Sequence, residues 1–539
     1  MKKQSFLTGS LLLTASALTA KLLGALFKIP LTAMLGGTGM GYFSCAYGLF
    51  LPLYAVFVTG VSTAVARPTA DHAGKGNFAA AHYVRKVART LFFWTGLVGT
   101  LLAAGFAKGF ATRTSPGSYP SVLAITPAVL LCCLTAVERG YYEGLCSMTP
   151  TAVSQAVEAL AKLVCGLICC SFFLRHPLPG MTREAAGAFG AVLGVTVSTL
   201  AGLLCMVFRN CLGRQDTAGS QPHPSAGTVI RLLLSVMIPA ALGALVTNLT
   251  SLIDLMTVMR CFSELLQTDP EAFYRGAALS ESIPPEEAAA FVYGSFMGLS
   301  VTVFNLVPSL TNMLAKGVLP CTAQAWASGS RREAAGYARQ VLLLTGLAAI
   351  PAGCGIFVLA RGVLEFLFAG REAEIDAAVS SLQWLAPGMV FLCMTFPVFS
   401  LLQAVGKEKL PVLLMLPGIA VKLVGNILLI PYLYTAGAAL STSLCYLVIL
   451  IPALICLRKA LGETLQLTGI LTAQCYSGAM CAAAAWLCYT RSPFPQRLSL
   501  LLAVAAGVGV YVICMLLCAR RTLTQMLLPA ARYTCDPDT

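Results

Sequence analysis

Apolar runs of about 20 residues recur along this chain from one end to the other, and that is the length an α-helix needs to cross the hydrocarbon core of a bilayer. Fourteen are read, near residues 6–31, 40–66, 87–112, 120–142, 150–174, 186–208, 231–257, 291–318, 338–360, 378–403, 409–431, 436–457, 466–488 and 497–519. Composition agrees: 57% of the residues are hydrophobic and 11% charged, with a mean hydropathy of +0.80, where soluble domains carry about 25% charged residues. The expected fold class is an all-α integral membrane protein with fourteen transmembrane helices. The first run follows "MKKQ" but is longer than the apolar stretch of a signal peptide, so it is read as a retained span.

Charge placement sets the expected topology. Basic residues cluster in alternate loops: Lys2 and Lys3, Arg67 to Arg89, Arg209 to Arg231, Arg331 to Arg339, Lys407 and Lys409, Arg458 and Lys459, and Arg520 and Arg521. By the positive-inside rule these loops and both termini are cytoplasmic, with an even number of spans. Two intervening loops are acidic, one holding Glu264, Asp269, Glu271, Glu281, Glu286 and Glu287, the other Glu365, Glu372, Glu374 and Asp376. The net charge of +14 is thus largely a topology signal. No basic soluble face for nucleic acid is visible.

Enzyme chemistry finds little footing. Most of the 21 cysteines lie inside apolar runs, where they act as small hydrophobes; no CxxC occurs and the four histidines are scattered, so no metal site is expected. The cluster "GGTGMG" (36–41) and "GKG" (74–76) fail the phosphate-loop pattern and read as loop turns. No Ser-His-Asp or paired-carboxylate constellation can be assembled. The expectation is a protein that is not an enzyme and takes no cofactor.

A weak repeat suggests how the spans are organised. Residues 144–168 and 406–429 each place a glycine before a proline that opens a span, then "KLV" 11 or 12 residues later: Pro150 with Lys162, and Pro411 with Lys422. These are the fifth and eleventh spans, an even number apart, so both copies run in one direction. Two parallel six-helix lobes follow, residues 1–208 and 231–459, joined by a polar cytoplasmic linker at 209–230. Such a pair places a binding site at its interface near the midplane. Two added helices occupy 460–521, and 522–539 form a cytoplasmic tail.

With those features in view, the opening "GSLLLTASALTAKLLGALFKIPLTAMLGGTGMGYFSCAYGLFLPLY", the segment "ERGYYEGLCSMTPTAVSQAVEALAKL" and "FNLVPSLTNMLAKGVLPCTAQA" resemble the polysaccharide-biosynthesis and stage V sporulation protein B branch of the multidrug/oligosaccharidyl-lipid/polysaccharide exporter superfamily. The likeness covers nearly the whole chain. Members are similar to the bacterial lipid II flippase, which implies two six-helix lobes with two extra C-terminal helices around a cationic cavity, and outward movement of undecaprenyl-diphosphate-linked sugars. One departure is specific. The flippase carries an Arg-Asp pair after "SRxLGF" in its first helix; the matching positions here are Phe27 and Lys28, and Lys21 replaces the earlier arginine. Cation coupling built on that acid therefore has no counterpart here.

Charged residues inside the runs are the candidate site. Lys21 and Lys28 are seven apart, so they share one helix face about 10 Å from each other along the axis. A lysine near mid-membrane costs on the order of 2.5–3.5 kcal/mol, which favours a water-filled cavity over lipid. We expect Lys21, Lys28 and Lys422 to present cations to a diphosphate; Lys28 could instead snorkel to the headgroups, and Lys21 could pair with Asp254. Asp254, Asn248 and Asn305 are polar-path candidates, Glu138 and Arg139 gate candidates, and Glu158 with Lys162 a pair on their own helix. The expected partners are a lipid-linked oligosaccharide, membrane lipids and cell-wall synthesis enzymes. A drug/cation antiporter of the same superfamily is the runner-up, although its cavity calls for carboxylates; a membrane glycosyltransferase would need a catalytic external loop, and the longest one, about 258–290, has no histidine.

Overall fold

The computed structural model describes residues 6–212, 224–279, 283–462 and 468–527, without the side chains of 6–15, 17, 18, 21, 209–212, 246, 247, 316, 320, 468–470 and 518–527. Lys2, Lys3, Glu281, residues 213–223 of the linker and the end of the tail lie outside the described residues, as does the side chain of Lys21. What is described is helical, with no strand.

Packing divides the chain into two compact units, residues 1–302 with 426–435, and residues 303–425 with 436–539. The first holds α1 (Phe6–Phe57), α2 (Val61–Gly74), α3 (Phe78–Thr114), α4 (Tyr119–Gly144), α5 (Thr149–Arg175), α6 (Arg183–Leu212), α7 (Ala226–Thr268), the short α8 (Pro270–Gly276) and α9 (Pro285–Ser295). After a five-residue π-helical turn, Phe296–Ser300, the four-residue α10 (Val301–Phe304) reaches the second unit. There lie α11 (Leu306–Ala327), α12 (Arg331–Leu367), α13 (Glu372–Ala404), most of α14 (Leu410–Leu461), α15 (Thr468–Arg491) and α16 (Gln496–Leu527). This division concerns packing, whereas the six-helix repeat concerns chain direction.

Local chemistry explains many of the helix starts. Asn77 caps α3 by accepting from the Ala80 N–H at 2.8 Å, and Asp269 caps α8 through the Ala272 N–H at 3.0 Å. Pro150 and Pro411 sit in the first turns of α5 and α14, where the missing N–H has no helical partner to lose.

Eleven helical stretches are long and apolar enough to cross a membrane by length and composition. Set against the fourteen runs, two differences are physical. Leu22–Gly74 and Leu410–Leu461 each contain two runs, and the backbone breaks between them at single residues, Gly36 (φ 66°) and Tyr434 (φ 50°). The eighth run is broken at Asn305, so the stretch Pro285–Phe304, which contains the π-helical turn, and α11 are separate pieces. Tyr434 is held in its strained conformation by α8: its ring lies 5.8 Å from that of Phe273, and its hydroxyl donates to the Ala272 carbonyl at 3.0 Å. Gly276 leaves the room, since a Cβ there would strike the Tyr434 ring.

In lipid, apolar surface gains little from choosing protein over acyl chain, so helices associate through close approach and hydrogen bonds. The "GGTGMG" cluster serves this end. Read as a loop turn, it is instead helical apart from the break at Gly36. A Cβ on Gly41 would collide with the backbone of Ala290, and one on Gly294 with the backbone of Gly37 and Gly41, so α1 and α9 meet main chain against main chain. Phe27, Leu31, Met40, Phe43, Ile125 and Val192 fill the adjoining core.

The second unit uses polar insertions in the same way. Ser443 on α14 donates to the Trp384 carbonyl at 2.6 Å and accepts from the Gly388 N–H at 3.1 Å, entering the gap in the α13 hydrogen-bond ladder beside Pro387. Gln474 on α15 donates to the Leu343 carbonyl of α12 at 3.0 Å, against Gly346. Around these bonds pack Leu342, Met394, Val398, Leu401 and Leu457.

Candidate functional site

Lys28 projects toward the π-helical turn. A π turn has one residue too many for the α-helical ladder, so its carbonyls are open to other donors. The Lys28 ammonium donates to the Met297 carbonyl at 3.2 Å, and Thr32, one turn further along α1, donates to the Gly298 carbonyl at 3.4 Å and to the carbonyl of Lys28 at 2.8 Å. Snorkelling to the headgroups is therefore not what this lysine does here. It is half-buried and braced by oxygen dipoles.

Consecutive residues on a helix point about 100° apart, and Glu138 and Arg139 on α4 accordingly face different neighbours. Glu138 is buried and pairs with Arg85 of α3, with the partly exposed Arg89 at 3.5 Å from its other oxygen. Arg85 lies over the Tyr141 ring, 4.6 Å from its centroid. Arg139 turns to α5: it donates to Ser154 Oγ at 2.9 Å and to Glu158 Oε2 at 2.6 Å, and Ser154 donates onward to the Gly202 carbonyl of α6 at 3.0 Å.

Those bonds correct the expected Glu158–Lys162 pair. Glu158 takes Arg139, because a fork of N–H donors matches a carboxylate better than a lysine four residues away on the same helix. Lys162 instead rests on ring faces, its Nζ 5.4 Å from the Phe27 centroid and 5.2 Å from that of Tyr47. The ion pairs among the described residues include neither Lys28 nor Lys162. Sequence reasoning passed over Lys162 as a candidate. The signal that could have found it is the spacing of Phe43, Tyr47, Phe50 and Tyr54, one aromatic face of α1.

The remaining candidates scatter. Asp254 is buried and accepts from Asn426 Nδ2 at 3.0 Å, and the same amide donates to Thr257 Oγ1 at 2.8 Å. Asn248 donates to the Ala244 carbonyl one turn back at 2.8 Å. Asn305 and Lys422 belong to the second unit, the former exposed and the latter buried at 4% with an interaction of its own. Lys28 sits in the first unit and Lys422 in the second, and the Lys21 side chain lies outside the described residues. Among those residues no group of three or more His, Cys, Asp or Glu could hold a metal.

Spans in this number, carrying charged side chains held by rings, dipoles and counter-charges, define a multi-pass membrane protein. Comparison with known proteins gives its family. The family model for polysaccharide biosynthesis proteins matches residues 6–295, more than half of the chain, and that for the lipid II flippase MurJ matches residues 287–512. The chain belongs to the polysaccharide biosynthesis protein family. It is 22% identical to the lipid II flippase MurJ of Bacillus subtilis (strain 168) over 480 residues, 86% of this chain and 84% of that protein. To stage V sporulation protein B of the same organism it is 23% identical over 447 residues, 82% and 81% of the two chains. Among solved structures, the lipid II flippase MurJ in an inward closed conformation superposes with a TM-score of 0.69 at 12% identity, covering 95% of this chain and all of that one. An inward-facing multidrug resistance MATE family transporter of the MOP superfamily reaches 0.61, also at 12% identity, over 82% and 95%. At such identity the structures speak for the fold alone.

Proposed function

We propose that this protein is a flippase of the bacterial plasma membrane that carries an undecaprenyl-diphosphate-linked oligosaccharide or peptidoglycan precursor from the cytoplasmic to the outer leaflet by alternating access. One observation carries the reading: Lys28 and Lys162, on α1 and α5, are held inside membrane-spanning helices by carbonyl dipoles and ring faces, with no ion pair to a described carboxylate. An ammonium so placed has no described carboxylate as counter-charge, and a diphosphate suits two of them. Lys21 shares the stripe of Lys28, and Lys422 stands in the repeat where Lys162 stands, so both belong to the same reading. The name of the relative similar over 86% of this chain supports the substrate class. The protein transports without chemistry of its own; fourteen spans, two six-helix lobes with two added helices and cytoplasmic termini complete the proposal.

Reconstitution tests it. Purified protein in vesicles loaded with labelled lipid-linked precursor, read by an enzyme confined to the outer leaflet, is expected to accelerate translocation well above empty vesicles. No acceleration, together with efflux of organic cations, would replace the flippase by the antiporter, whose MATE relatives share the fold. For topology, a cysteine introduced at Arg275 in a cysteine-free variant is expected to react with an impermeant maleimide from outside the cell. Labelling from the cytoplasmic side alone would invert the arrangement.

A further inference from the structure

Phe43, Tyr47, Phe50 and Tyr54 are spaced by four, three and four residues along α1, which is one helix face. Their rings follow one another with centroids 4.8, 6.1 and 5.7 Å apart. Phe43 is buried, Tyr47 and Phe50 are half-buried, and Tyr54 is 37% exposed. The stripe opens outward along its length, whereas aromatic rings that serve only as core stay covered.

The residues that face the stripe argue against acyl chains as its intended neighbour. On α5, Glu158 and Lys162 share a face; Lys162 lies over the Tyr47 ring, and Glu158, one turn earlier, holds Arg139 of α4. The Arg139 and Glu158 side chains are 17% and 28% exposed. Ionised groups left partly open inside spanning helices need water or a polar ligand, since lipid would leave them unsolvated. Rings on one wall, with a guanidinium, a carboxylate and an ammonium on the other, form an amphipathic slot.

We infer that this slot binds the saccharide attached to the diphosphate, an inference that rests on the flippase reading and adds the part of the substrate it discriminates. A pyranose ring has apolar C–H faces and a polar rim. Phe50 and Tyr54 take a C–H face, Glu158 accepts from hydroxyls while Arg139 donates to them, and Lys162 takes the phosphate oxygen next to the sugar. The existing Arg139–Glu158 bond orders both groups before the sugar arrives. The four rings and the three charged side chains come from α1, α4 and α5 of one unit, so the slot is complete within it.

The test compares two probes on the full-length protein in lipid nanodiscs: undecaprenyl diphosphate, and the same lipid bearing one N-acetylhexosamine. Wild-type protein is expected to bind both and to prefer the sugar-bearing lipid. The double variant Phe50→Leu/Tyr54→Leu is expected to lose about tenfold in affinity for the sugar-bearing lipid and less than about twofold for the bare diphosphate, which also reports that the variant is folded. Phe50→Tyr and Tyr54→Phe, which keep the rings, are expected to retain the preference. Should the double variant fail to fold, Glu158→Gln is expected to show the same selective loss. Equal losses for the two lipids, or none, would overturn the saccharide slot. Wild-type protein that binds both lipids without preference would overturn it too and leave the flippase reading standing, while binding of neither would remove both.

Discussion

Lys28→Ala is expected to reduce translocation of a lipid-linked precursor by about a hundredfold while the protein still inserts and folds. Removing one member of a buried, hydrogen-bonded charge pair commonly costs about 2–5 kcal/mol, and here the missing partner is the substrate's phosphate in its bound state. Folding should tolerate the change. The alanine removes a cation from a spanning helix and with it a desolvation penalty, and leaves the Met297 carbonyl with the Thr302 hydroxyl, which donates to it at 3.3 Å. Lys28→Arg keeps the charge but replaces a compact ammonium by a planar fork, so partial activity is expected. The measurement is the initial translocation rate in reconstituted vesicles at matched protein incorporation. Wild-type rates in the alanine variant would take Lys28 out of the site, and the charge reading would then rest on Lys162 and Lys21.

Glu138→Ala is expected to have the largest effect on stability. Arg85 and Glu138 are 7% and 2% exposed, and breaking such a pair by removing one partner leaves a buried charge uncompensated, at about 3–5 kcal/mol. Arg89 does not replace Glu138, being 56% exposed and a cation as well. Two controls separate the pair from the packing. The double variant Arg85→Leu/Glu138→Leu should recover most of the loss, because no lone charge remains and the aliphatic chains fill similar volume. Arg139→Ala should cost less than Glu138→Ala, because its pair with Glu158 is open to solvent. Thermal midpoints of the purified variants in one detergent decide the matter; a Glu138→Ala midpoint equal to wild type would mean that water reaches Arg85.

Much of this could be read from residues alone. Apolar run length placed the spans on helices, and first-turn prolines at 150 and 411 marked where two of them begin. Lys28 was legible as a cation out of place. Its partner was not, because the carbonyl it meets belongs to residue 297, on a π turn that no side-chain pattern announces. The four-residue spacing of Glu158 and Lys162 suggested a pair that the fold does not make. Arg139, near in sequence to neither, arrives from another helix and offers the carboxylate a better match.

The sequence by itself determined that the chain crosses a membrane many times as helices, since a bilayer leaves a long apolar run no other way to satisfy its backbone. It determined equally that charge lies within those helices. Which charges pair was decided by tertiary structure alone: Glu138 and Arg139 are neighbours in the chain, and helix geometry turns one to α3 and the other to α5. The glycines of 36–41 show the same division. Composition offered a turn, and only the approach of α9 shows that Gly41, like Gly294 opposite it, lacks a side chain so that two backbones can touch. Contacts between residues hundreds of positions apart are set by packing, and sequence spacing carries information only as far as one helix extends.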